Sequence, residues 1–485
     1  MRRFRLTSEW VLVAAAAVIM FIILFMKPLV GVADNGDFLR VMITGGINYM
    51  DDGESFQDRY FGFFHSKYAY VPFSTGGYVS SQIIFIVLAG LIGRVVHPEF
   101  FDIRLLSALS ALLMLSALYV IMRYNKSKSM IINLVFLAVL LFIFLDVAYM
   151  AYFNSFFGEA ITLIFMLLTF ALALAIVRSD GEPSMKLLTL FYVSALFLIG
   201  TKLQNSPIGL LLLVVGLRFW TLRQDRVWRK RIVVWSSVLL LFTVGMYVAA
   251  PKELKHINLY QTVFYGILKD SPHVDKDLKE LGLPQELKAN AGTNFFQGDT
   301  VYKQNDPLIQ KYVYNRLGHK DVGLYYLKHP SRLLQKMERA AANGMSIRAY
   351  YLGNYEKAEG KKSGALSFAY SGWSEFKNTK LPKSLAFLAV VYAAYYAVLA
   401  AEYVRRKADA RRQVMLEIFA AIGLIGIFAF LIPLIGDGEA DLGKHLFLFN
   451  VCFDMMLVSG VIYVTSKVVQ LIQHATNRRA AASRQ

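Results

Sequence analysis

Ten apolar runs, each near the length that crosses a bilayer, constrain this 485-residue chain more than any other feature. They fall at about 10–26, 103–122, 130–150, 159–177, 187–200, 207–220, 232–250, 384–403, 414–435 and 446–466. Together they read as an all-α polytopic membrane protein. The composition agrees, with 56% hydrophobic and 18% charged residues and a mean hydropathy of +0.45. The first run follows a basic stretch, but it is long enough to span and has no small-residue cleavage pattern after it, so it reads as an uncleaved helix.

A net charge of +18 can signal nucleic acid, but here the basic residues sit between apolar runs, which is an orientation signal. The run at 81–96 carries Arg94, is short for a crossing and ends at His97-Pro98. If it lies on the surface or re-enters, the loops holding Arg2, Arg3 and Arg5, then Arg123, Lys126 and Lys128, Arg178 and Lys186, 223–231, 405–412, and Arg478 with Arg479 all share one face. By the positive-inside rule that face is cytoplasmic, with both termini inside. If 81–96 crossed, the first basic end would oppose all the later ones. The expectation is therefore ten crossings and a non-crossing 81–96.

The opposite face then collects four polar clusters. These are Asp34-Asn35-Gly36-Asp37 with Arg40; Asn154 to Glu159; Lys202, Gln204 and Asn205; and the 436–445 loop with Asp437, Glu439, Asp441, Lys444 and His445. Ionisable groups next to membrane helices are costly and commonly have a role. Asp34 and Asp37 fall on one side of a helical stretch, and Gly36 permits a bend between them. Such a pair can hold a cation or take a proton from a hydroxyl group; an acidic helix start explains it equally. Asp34, Asp37, Glu159 and Asp437 or Asp441 would suit a hard divalent cation such as Mg²⁺ or Mn²⁺. Lys202, Lys444, His445 and Arg40 are the outer-face candidates for a lipid phosphate, although Lys202 equally fits a helix-end cation reaching for the interface. Asp146 and Asp454 lie within spans and read as paired or capped structural polars, with Asp454 in reach of the cavity.

The only cysteine, Cys452, lies in an apolar run, which excludes disulfides and a thiolate zinc cluster. The chain has no phosphate-cradling or dinucleotide glycine motif and no His-Glu-x-x-His helix, and its cytoplasmic loops are too small for a nucleotide sugar. An energy-rich substrate would then arrive at the outer face already activated, most simply on a lipid. The expected organisation is a transmembrane module at 1–250 with a catalytic first outer loop (29–102), a mostly helical outer insert at 251–382, C-terminal helices at 383–475, and a basic tail at 476–485. Most of the insert's tyrosines (Tyr260, Tyr265, Tyr325, Tyr326, Tyr350, Tyr351 and Tyr355) read as core or interfacial anchors, although tyrosine is also apt for stacking on sugars.

The acidic opening of the first outer loop, the amphipathic segments within it and Arg104 to Ala108 starting the next span resemble the GT-C superfamily of polyprenyl-phosphate-sugar glycosyltransferases. Within it the chain is most similar to bacterial S-layer glycan hexosyltransferases of the WsfD type, through 33–40, 152–159, 201–205 and 436–450. The resemblance implies a bacterial cytoplasmic-membrane enzyme with its site on the extracytoplasmic face. It would move a hexose with inversion from a polyprenyl-phosphate donor to a cell-surface glycan or glycolipid. A first-loop carboxylate acts as base in such enzymes and maps onto Asp37 or Asp34, with Asp37 preferred because Arg40 lies one turn on. The donor-phosphate cations map onto Lys202, Lys444 and His445, and Asn154, Glu159, Gln204, Asn205, Asp437 and Asp441 would line the cavity. The chain lacks the large soluble C-terminal domain and the adjacent Asp-Glu pair of protein-modifying relatives, which argues against a protein acceptor. A lipid-glycan flippase and a lipid-linked glycan polymerase are the rival readings. Charges clustered on one face and the lack of a repeat count against the flippase.

Overall fold

The computed structural model describes residues 7–51, 53–74, 77–405 and 409–482, with side chains described as far as 477. Arg2, Arg3, Arg5, Arg406 and Lys407 of the basic loops lie outside the described residues, as do the side chains of Arg478 and Arg479.

The protein is helical throughout its membrane part. Among the described residues eight helices are long and apolar enough to cross: Ser8–Phe25, Arg104–Asn125, Glu159–Arg178, Leu203–Leu222, Arg226–Val248, Leu385–Arg405, Ala410–Gly436 and Phe447–Asn477. The pair Met130–Phe144 and Val147–Asn154, bent by 53°, makes a ninth crossing if it is one broken span and a re-entrant loop otherwise. The tenth expected segment forms Met185–Gly200, an apolar helix of 16 residues, shorter than the others. Glu159–Arg178 is apolar all round and 94% buried, so it forms the axis of the bundle.

The bend in this pair frees backbone groups that lipid cannot satisfy. Asp146 accepts from Ala148 N at 2.9 Å and from Ser374 N at 2.9 Å, while Tyr370 O accepts from Val147 N at 3.1 Å. The helix Gly372–Lys380 thus repairs the break, and it is anchored deeper still. Lys377 Nζ lies 2.6 Å from Asp454 Oδ1, both wholly buried, and Tyr149 OH and Trp373 Nε1 donate to Asp454 Oδ2 at 2.7 and 2.9 Å. Asp454 therefore belongs to the packing and not to an open cavity.

Gln82–Val96 turns its charge inward. Arg94 donates to Gly46 O and Val71 O, both at 2.9 Å, and lies over the rings of Tyr70 and Phe73. Ile84, Leu88, Leu91 and Val95 form an exposed apolar stripe on the other side, the pattern of a helix lying against lipid.

One element was not expected from sequence. Ile47–Asn48, Lys67–Tyr70 and Phe101–Asp102 form a three-stranded antiparallel sheet, with the middle strand paired to both others. It pins the first loop, whose buried backbone needs partners.

The chain between the Arg226–Val248 and Leu385–Arg405 helices has its own apolar core. Tyr260, Phe264, Leu278, Ile309, Val322, Tyr325 and Tyr326 meet there. Its later part, including Ala340, Ala341, Met345 and Trp373, packs into the main core instead.

Candidate functional site

The first loop is built around Asp34, which is 1% exposed. Its Oδ1 accepts from the backbone N–H groups of Gly36, Asp37 and Phe38 at 2.8, 2.9 and 3.1 Å, and its Oδ2 accepts from Tyr49 OH. Gly36 has φ +99°, a region closed to most side chains, and this lets the three N–H groups converge. Burial raises the Asp34 pKa above the ordinary carboxylate value, against the pull of these donors. Asp34 is thus the organiser of the turn, with both oxygens occupied.

The turn projects Asp37 towards the last loop. Its Oδ1 lies 2.9 Å from Arg40 Nη1, and its Oδ2 lies 2.6 Å from Lys444 Nζ. Asp37 keeps about a third of its side-chain surface exposed (31%), whereas Lys444 keeps 3%. Burial alone would raise the Asp37 pKa; the Lys444 and Arg40 charges outweigh it and hold the carboxyl well below the usual range. Burial likewise opposes the charge on Lys444, but Asp37 and Asp441 raise its pKa well above the usual lysine value. Lys444 also lies 3.0 Å from Asp441 Oδ2 and over the Phe157 ring. Asp441 in turn accepts from Asn35 Nδ2 at 3.2 Å and from Tyr351 OH. Burial and the nearby Asp37 charge push the Tyr78 hydroxyl up to about 12.

A second strand of polar contacts runs alongside. His445 Nε2 lies 3.0 Å from Asp437 Oδ2, and its Nδ1 lies 2.9 Å from Gln204 Oε1. Gln204 Nε2 donates to His445 O at 2.8 Å. Burial raises the Asp437 pKa despite His445. Lys202 pairs with the buried Glu159 at the start of the central helix. Asp37, Arg40, Glu159, Lys202, Gln204, Asp437, Asp441, Lys444 and His445 are thereby gathered at one end of the bundle. The opposite end is marked by Arg218 and Glu417, paired at 2.5 Å. Glu417 lies 19 residues before Gly436, about 29 Å along a helix and close to one hydrocarbon thickness.

Two expected lining residues are elsewhere. Asn154 is wholly buried, donates to Leu24 O and Val30 O at 3.1 and 2.8 Å, and accepts from Ser107. Asn205 is 3% exposed and donates to Thr201 Oγ1 at 2.8 Å. Both tie helix ends together and do not line the site. The suggested divalent-cation cluster is also corrected: among the described residues no group of three His, Cys, Asp or Glu side chains could hold a metal ion. Asp34 is filled by N–H and O–H donors, and Asp37, Glu159 and Asp437 each face a basic side chain of their own.

Sequence reasoning missed Tyr49 and Tyr78, which no spacing signals, and the clamp on Glu439. Glu439 is 6% exposed and lies 3.0 Å from Lys269, 2.6 Å from Lys336 and 2.8 Å from Arg339. Burial would raise its pKa, but the bonds from Lys336 and Lys269 keep it lowered. Gly438, at φ +64°, packs so closely on Gly266 that a Cβ would sit 2.9 Å from Gly266 Cα. The insert thus grips the loop that carries Asp437, Asp441, Lys444 and His445.

A cavity and a narrow crevice lie outside this cluster. The cavity, of about 360 Å³, lies between Leu211–Arg218 and Val414–Leu424, towards the opposite end. The crevice, of about 10 Å³, runs beside Tyr78, Val79, Leu203 and Pro251. Within the charged cluster Asp37 and Arg40 keep about a third of their side-chain surface exposed.

Residues 1–483 match the family model described as the YfdI N-terminal transmembrane domain. The chain belongs to that family. Its match across the bundle fits a membrane glycosyltransferase-like protein. No curated protein and no solved structure matches the chain.

Proposed function

We propose that the protein is a GT-C-type inverting glycosyltransferase of the bacterial cytoplasmic membrane. It takes a hexose from a polyprenyl-phosphate donor and passes it to a cell-surface glycan or glycolipid on the outer face. The observation that carries this reading is the meeting of Asp37 with Lys444 and Arg40, a carboxylate and two cations from the first and last loops at one end of the bundle.

Paired with Lys444 and Arg40, Asp37 is held too low to be an effective base, since a base works best with a pKa near the operating pH. A donor phosphate placed against Lys444 and Arg40 would compete for those cations and free the Asp37 carboxylate. Asp37 then takes the proton of the acceptor hydroxyl, and the oxygen bonds to the anomeric carbon from the face opposite the phosphate. The carbon–oxygen bond to phosphate breaks as the new bond forms, and the pair of electrons leaves on the lipid phosphate, where Lys444, Arg40 and Lys202 balance the added charge. One base suffices for this single displacement, unlike the carboxylate pair of a retaining hydrolase. Asp34, with both oxygens filled, serves the turn and not the proton transfer.

The test is turnover of synthetic polyprenyl-phosphoglucose by the purified protein. Polyprenyl phosphate should be released when a glycan acceptor is supplied, and Asp37→Asn should lower the release by about 10²-fold or more. Movement of labelled lipid between leaflets without any sugar transfer would overturn the assignment in favour of a flippase.

A further inference from the structure

Above the charged cluster lies a set of exposed rings that the transfer chemistry does not use. Phe56 is 67% exposed, Phe61 39% and Tyr351 45%. Their centroids step 6.2 Å from Phe56 to Phe61 and 6.3 Å from Phe61 to Tyr351. They come from two distant segments that the backbone knits together: Phe61 N donates to Asp34 O at 2.8 Å, Gly353 N to Phe61 O at 2.8 Å, and Ala33 N to Gly353 O at 2.9 Å. Phe61 itself is held at φ +65°, a conformation costly for a bulky residue. Strain of this kind persists where the surroundings fix it, and here it turns the ring outward.

From this we infer that Phe56, Phe61 and Tyr351 form a docking platform for pyranose rings of the acceptor glycan, beside the transfer site. The inference rests on the transferase reading for the identity of the acceptor, but the platform binds whether or not transfer occurs. A pyranose presents a face of C–H groups, weakly positive, to the negative face of an aromatic ring, and hydroxyl groups at its rim. The patch matches both. Its three rings are tilted by 49° and 50° to one another, a stepped surface of ring faces and edges, and charged pairs lie beside it: Asp58 lies 3.0 Å from Lys357, and Glu54 lies 2.8 Å from His65. An acyl chain would leave those carboxylates facing hydrocarbon. The platform also leads to the chemistry. Tyr351 OH donates to Asp441, Asp441 Oδ2 lies 3.0 Å from Lys444, and Lys444 holds Asp37. A glycan lying on the rings would therefore direct a hydroxyl towards the proposed base.

The experiment is binding of the full-length detergent-purified protein to an array of oligosaccharides, with Phe56→Ala, Phe61→Gly and Phe61→Tyr beside the parent. Phe61→Gly keeps the positive φ and removes only the ring, and Phe56 is too exposed to support the fold, so lost binding is not lost folding. The expected result is retention of a subset of glycans by the parent, a drop of ~10-fold or more in Phe56→Ala and Phe61→Gly, and recovery in Phe61→Tyr. Retention indifferent to the rings, or no retention at all, would overturn the platform. Ring-dependent retention by a protein that transfers no sugar would keep the platform and remove the transferase reading.

Discussion

Lys444 Nζ and Asp37 Oδ2 stand 2.6 Å apart although 407 positions separate the two residues in the chain. The contact joins the first loop to the last and sets what can be tested.

Replacing Asp37 with Asn should lower glycosyl transfer by about 10²–10⁴-fold, the usual contribution of a positioned base. Asp34→Ala should act differently. It strands three N–H groups and a tyrosine hydroxyl, so the loss appears as lower yield and melting temperature in detergent.

The pH dependence of the pair follows from the depressed pKa of Asp37. A carboxylate with a folded pKa below its unfolded value adds stability that is complete above the unfolded value and is lost as pH falls towards the folded one. The gap in melting temperature between parent and Asp37→Asn should stay constant from pH 8 to about pH 5, then shrink below about pH 4, near the unfolded carboxylate value. Thermal denaturation across that range measures it.

The acidic residues of the site are matched by lysine, arginine and histidine partners, so added chelator should leave transfer within about twofold of its starting rate. A tenfold loss on chelation, restored by Mg²⁺ or Mn²⁺, would reinstate the divalent-cation cluster corrected above.

Lys377 and Asp454 give a prediction about the bundle. Removing one partner, as in Lys377→Met, leaves a wholly buried charge and should cost about 3–5 kcal/mol. Lys377→Met combined with Asp454→Leu should recover only part of that loss in thermal unfolding, because the unpaired charge is gone but Tyr149 OH and Trp373 Nε1 lose their buried acceptor.

Glu439→Ala should release the insert from the last loop and leave Lys336 buried without its carboxylate. Faster limited proteolysis within the insert should accompany a fall in transfer of up to ~100-fold, the effect of a slight misplacement of reacting groups.

Much of the fold was legible because lipid imposes length on apolar runs. The ten runs recur as helices, and Arg94 marked Gln82–Val96 as different from its neighbours. The small sheet was not legible, since Ile47–Asn48 and Phe101–Asp102 are two residues each and carry no periodicity. The site was partly legible. Lys444, His445 and Asp37 stand out as charges at helix ends, but charge alone could not separate Asp34, which is filled by its own turn, from Asp37, which is not. Asn154 and Asn205 looked like lining for the same reason. An amide beside a membrane helix serves backbone groups as readily as substrates, and the difference lies in tertiary contacts. The Glu439 clamp was hidden because its three cations lie 100 or more residues away in sequence.

The distance in sequence between Asp37 and Lys444 also has a consequence in time. At ~5–20 residues per second, a ribosome needs on the order of 20–80 s to travel from one to the other. Throughout that interval the nascent protein holds half of a centre. On the transferase reading proposed above, activity would switch on only when the final helices have been inserted, and an unfinished polypeptide would not consume lipid-linked sugar.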